Sequence, residues 1–130
     1  MNIRQAHDHC ATLAGATRDI KWETHAVFSV DGRMFAMFTL DGARLVDRLS
    51  IKVDDARFLE LTDRAGIVPA PYLARARWVL IEGLARLSTD ETKALLKDAH
   101  RLIATKLSKA RQRTLFGDVA STPLASAARP

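Results

Sequence analysis

The chain has 130 residues, 48% hydrophobic and 27% charged, with a formal net charge of +5 and one cysteine. That length suits a single domain able to fold without metals or disulfides, and the composition excludes general disorder. The lone Cys10 excludes an internal disulfide framework, and apolar runs such as 78–81 are far too short to span a bilayer.

Residues 3–13 read as a first helix. Asn2 is placed to cap it, Gln5 to complete a capping box, and Ile3, Ala6, Cys10 and Leu13 form one apolar stripe. Because the N-terminus opens on this polar amphipathic segment, without the apolar core of a secretory leader, a cytoplasmic protein with no membrane partner is expected. Three strand-like runs follow, at 25–30, 33–40 and 45–53. They are separated by Asp31-Gly32 and Asp41-Gly42, dipeptides that favour tight hairpin turns. Leu49, Ile51 and Val53 alternate with Arg48, Ser50 and Lys52, so one face of the third run is predicted to be buried. Asp54 or Asp55 caps a second helix that Gly66 closes. Pro69 and Pro71 exclude regular helix over 68–72. A fourth strand is expected over 77–82, and Ser88-Thr89-Asp90-Glu91 opens a long helix to about residue 107.

These elements predict an α+β domain, a three-stranded antiparallel meander plus at least one further strand, with helices packed on one face. The domain is expected over residues 1–113. The Ala-, Ser-, Thr- and Pro-rich end predicts a disordered tail over 114–130.

Charge is unevenly placed. Residues 1–99 carry 14 Lys and Arg against 14 Asp and Glu, so the whole excess falls in residues 100–130. Lys106, Lys109, Arg111 and Arg113 therefore admit two readings: contacts to a polyanion, or cations complementing a helix C-terminus. Arg48 and Lys52 project from one strand face about 13 Å apart at roughly 3.3 Å per residue. Arg33 begins the neighbouring strand, and a basic sheet face can track a phosphate backbone. A solvated strand face explains the same residues.

Several segments in order suggest a family. Gly15-Ala16-Thr17 with Asp19-Ile20-Lys21-Trp22, Phe28 and Val30, and Gly32-Arg33-Met34-Phe35 begin the pattern. Ser50-Ile51-Lys52-Val53, Pro69-Ala70-Pro71-Tyr72-Leu73, Trp78-Val79 and Lys106-Leu107-Ser108-Lys109 continue it. Together they resemble the MmcQ/YjbR family. The resemblance implies a CyaY-like (frataxin-like) α+β fold and a DNA-binding role. Glu23 stands where the family commonly has Gly, and Ser108 where Pro is usual.

Two clusters carry candidate chemistry. Lys21, Trp22 and His25, with Asp19 and Glu23, form either a recognition edge in which Trp22 stacks on a ligand, or a loop fixed by Asp19 and Lys21 with Trp22 as a core or rim anchor, its ring mostly buried. In the second case Trp22→Ala would cost roughly 3–5 kcal/mol. Tyr72, Arg75, Arg77 and Trp78 interleave cations with aromatics. That pattern suits a phosphate-and-stacking surface, or a rigid crossover packed by Pro69, Pro71 and Tyr72. His7, His9, His25 and His100 lack metal-ligand spacing, and no phosphate loop or nucleophile motif is present. The sequence therefore predicts a non-enzymatic monomer without metal or cofactor. The partner that the resemblance implies is DNA, with Arg33, Arg48, Lys52, Arg75, Arg77, Lys106, Lys109, Arg111 and Arg113 as its candidate contacts. The alternative is a small-ligand or protein-interaction module using a groove near Lys21, Trp22, His25 and Tyr72.

Overall fold

A computed structural model describes residues 1–117. Helix α1 (Ile3–Ala11) precedes four consecutive strands: β1 (Ala16–Lys21), β2 (His25–Val30), β3 (Arg33–Asp41) and β4 (Arg44–Lys52). Helix α2 (Asp55–Thr62), the short strand β5 (Ile67–Pro69), strand β6 (Trp78–Glu82) and helices α3 (Thr89–Ala104) and α4 (Lys109–Phe116) complete it. The six strands form one sheet in the order β1-β2-β3-β4-β6-β5, and every neighbouring pair is antiparallel.

The local signals act as their chemistry dictates. Asn2 accepts from the Gln5 N–H while the Gln5 side chain accepts from the Asn2 N–H, a complete capping box. Asp54 and Ser88 cap α2 and α3 through the N–H groups of Arg57 and Glu91. Asp31 and Gly32 both take positive φ, as a type I′ hairpin turn requires, and the β2–β3–β4 meander forms as expected. Leu49, Ile51 and Val53 face the helices, packed with Phe28, Phe35 and Phe38 against Leu95, Leu96 and Ala99 of α3. Cys10 is buried in this core, which pushes its thiol pKa up to about 12 and leaves it inert near neutral pH.

Three features depart from expectation. Strand β1 carries no apolar alternation because it is an edge strand, exposed at its four central residues, and its pairing with β2 needs no buried face. The proline segment begins as a strand: Pro69 ends β5 at the other sheet edge, where a missing N–H costs no ladder bond. The last helix is two helices. Thr105 Oγ1 donates back to the Arg101 carbonyl, and Ser108 accepts from the Arg111 N–H to cap α4. Ser108 has φ −61°, the angle a proline ring enforces, so this departure from the family pattern keeps the backbone geometry. Helix α4 carries the chain to Phe116, and residues 118–130, most of the predicted tail, lie outside the described residues. No helix among the described residues is long and apolar enough to cross a membrane.

His100 is buried under Phe35 and Phe116, its Nε2–H donating to the Ala14 carbonyl at 2.6 Å. Burial holds its pKa below the usual imidazole value, outweighing the opposing effect of that bond. The unfolded chain then takes up a proton before the folded one does, so stability declines as pH falls below about 6.5. Urea unfolding across pH 5–7.5 is expected to show this decline, and His100→Gln to remove the part due to this residue.

A pocket on the helix-free sheet face

Alternate residues of the strands face away from the helices. Val27, Met37, Trp78 and Leu80 join Ala70 in a second, smaller apolar cluster, with Met34 and Leu73 packed against it. This cluster explains why β2 is buried along nearly its whole length and why Trp78 is a core residue. Arg48, Ser50 and Lys52 project to this same side, beside β6.

Two turns rise over the cluster from opposite ends of the strand order. Between β1 and β2, Trp22 and Glu23 take φ values of 55° and 62°, and the Thr24 N–H donates to the Lys21 carbonyl. Glu23, where the family commonly has Gly, thus occupies a left-handed position that Gly would adopt without strain. After β5, the Leu73 N–H donates to the Ala70 carbonyl around Pro71 and Tyr72. Pro at the first central position and positive φ at the second define a type II turn, which calls for Gly or Asn where Tyr72 stands at φ 66°.

Neither aromatic ring stabilises the fold by burial. Trp22 is 64% exposed and Tyr72 wholly so, which overturns the reading of Trp22 as a buried anchor and of Tyr72 as packing for the crossover. Holding bulky residues in the left-handed region costs about 1–2 kcal/mol each. Tyr72→Gly is therefore expected to raise the unfolding free energy by about 0.5–1 kcal/mol after the added chain entropy of glycine. Chemical denaturation checks this.

Between the turns lies a half-open recess of about 580 Å³. Met34, Met37 and Leu80 supply its apolar floor, Ala70, Pro71 and Leu73 one wall, and Trp22 and Tyr72 its rim. Polar groups come from His25, Thr39, Ser50 and Arg48. The His25 Nδ1 lies 2.8 Å from the Thr24 hydroxyl, and the Trp22 ring stands edge-on to the imidazole at 5.9 Å. Partial burial, and then the Arg48 charge, hold the His25 pKa below its usual value, favouring a neutral ring near pH 7. Of the groove residues expected from sequence, Trp22, His25 and Tyr72 come together. Lys21 stands opposite His25 in the strand register, but outside the lining, 3.9 Å from Asp19. The methionines, Thr39, Ser50 and Leu80 were missed; the signal was the second apolar face visible in 25–30 and 78–81.

The candidate cations differ in how far they are already engaged. Arg111 makes two hydrogen bonds to Asp31, at 3.2 and 2.6 Å, and with Arg33 nearby it holds that carboxyl below the usual range. Arg77 pairs with Asp55 at 2.7 Å and lies over the Phe58 ring. Lys52 donates to the Ala76 carbonyl, and its pKa is lowered by burial and then by Lys106, with Arg77 adding to the effect. Arg75 is exposed on a single 3-10 turn over Ala74–Ala76, and Lys109 and Arg113 are exposed on α4. Among the described residues no cluster of His, Cys, Asp or Glu is arranged to hold a metal ion. His7 is engaged instead by Asp8 and Arg18, each at 2.9 Å.

A helix-backed antiparallel sheet with a ligand-sized recess on its free face defines the class, a small α+β domain with a sheet-face pocket. The chain belongs to the YjbR family, whose model matches residues 11–102. The fold is similar to that of Deinococcus radiodurans protein DR2400, described as a DUF419 domain. That match has a TM-score of 0.76 at 24% identity and covers 88% of this chain and 87% of that one. A Pseudomonas syringae protein from a structural-genomics programme is similar at a TM-score of 0.64 and 24% identity, over 79% of this chain and 99% of that one. No curated protein matches the sequence.

Proposed function

We propose that this domain is a non-enzymatic binding module whose ligand is a small, flat, largely apolar molecule held in the sheet-face pocket. The carrying observation is the pair of exposed aromatic side chains, each at a left-handed backbone position, on the rim of one recess. Strain retained without any gain in burial is characteristic of functional sites. A volume of about 580 Å³, an apolar floor and a few convergent polar groups are what a small-molecule site requires. Ser50→Phe places a ring inside the recess from a half-buried position of β4, and aromatic residues suit strands. Saturation-transfer NMR with a set of flat bicyclic aromatics is expected to show binding to the wild type and none to this variant. Equal signals from both proteins would refute the pocket as the site.

A second reading, DNA binding through backbone phosphates, follows from the family resemblance and is favoured by the gathering of Lys52, Arg77 and Lys106. It is weakened by the engagement of Arg111 with Asp31 and of Arg77 with Asp55. Log affinity for a duplex would fall with log salt at about −0.9 per phosphate contacted. Neutralising Lys52, Lys106, Lys109 and Arg113 would then flatten that slope by roughly three to four units. No duplex affinity at low salt would end this reading.

A further inference from the structure

The polar groups of the pocket differ in kind. No carboxylate lines it, and Arg48 is its single permanently charged residue. Among the described residues no salt bridge or side-chain hydrogen bond engages the Arg48 guanidinium, unlike Arg57, Arg64, Arg77 and Arg111, which are all paired with acids. Its neighbour Asp47 is turned to the Leu84 N–H at 3.0 Å. Glu82, opposite Arg48 in the strand register, is exposed outside the lining. An unmatched guanidinium beside an apolar floor is suited to an anion with two adjacent oxygens, since its fork of N–H donors matches a carboxylate or phosphate. Thr39 and Ser50 add hydroxyls on the adjoining strands, and the rim rings offer stacking faces.

We infer that the pocket is specific for a flat aromatic molecule carrying one anionic group, the ring held at Trp22 and Tyr72 over the methionine floor and the anion at Arg48. This inference rests on the pocket being a ligand site, and adds that charge selects the ligand. A carboxylate or a phosphate monoester supplies the same chemistry, so two matched pairs serve as probes: 2-naphthoate against 2-naphthamide, and adenosine monophosphate against adenosine. Isothermal titration calorimetry on the full chain and on Arg48→Gln makes the comparison. Arg48 is exposed, so the substitution leaves the core intact.

In at least one pair the anion is expected to bind the wild type roughly tenfold or more tightly than its neutral partner, the scale of a charge-assisted hydrogen bond. Arg48→Gln is expected to reduce that preference to about twofold or less. The pair that shows it identifies the anion as carboxylate or phosphate. Equal binding within both pairs, or a preference that survives in Arg48→Gln, would overturn the charge assignment and leave the pocket reading standing. Binding of none of the four would overturn the pocket reading itself.

Discussion

Phe38→Ala is expected to lower the unfolding free energy by about 3–5 kcal/mol, whereas Trp22→Ala should shift it by about 0.5 kcal/mol or less. Phe38 is fully buried at the centre of the sheet, edge-on to Phe28 at 5.8 Å and to His7 at 5.4 Å. Its removal leaves a cavity where strands and helices meet. Trp22 has most of its surface in water, so truncation loses little burial. Equilibrium urea denaturation of both variants measures the contrast. A Trp22→Ala cost close to that of Phe38→Ala would mean that the ring anchors the fold after all.

The second large effect falls on binding. A ring stacking on an aromatic ligand contributes about 1–3 kcal/mol by alanine substitution, a factor of roughly 5 to 150. Trp22→Ala and Tyr72→Gly are each expected to weaken binding of a flat aromatic anion within that range. The double variant should abolish detectable affinity while remaining folded. Tyr72→Gly carries a distinguishing signature, because the same change that weakens binding should raise stability. Calorimetric titration paired with denaturation on each variant separates loss of a ligand contact from loss of structure.

The parts of the fold that were legible in the sequence are those governed by local chemistry. Asp31-Gly32 and Asp41-Gly42 announced the meander because tight turns demand positive φ, and Asn2, Asp54 and Ser88 announced helices because a cap is made within four residues. Strand β1 stayed hidden because an edge strand needs partners but no apolar face, and its residues are mostly polar. The break before α4 was obscured by a basic, helix-compatible stretch in which Thr105 and Ser108 compete for backbone bonds. The candidate site was half visible. Trp22, His25 and Tyr72 were marked by type, but the recess they rim is built from four strands and two turns. Its floor of Met34, Met37 and Leu80 exists only through the strand register. The basic end illustrates the same limit. Its net charge was plain in the composition, but Arg111 finds Asp31 eighty residues away, and nothing local to either residue signals that pairing.

The most direct test of a ligand site on the helix-free face is a ¹H–¹⁵N correlation spectrum of the full chain titrated with 2-naphthoate. Saturable shifts are predicted at His25, Met37, Thr39, Ser50, Tyr72 and Leu80 and at the Trp22 indole N–H, with α1 and α3 unmoved. Shifts confined to α4 and the Lys52–Lys106 region, or no shifts with millimolar 2-naphthoate or, in a parallel titration, with adenosine monophosphate, would contradict it.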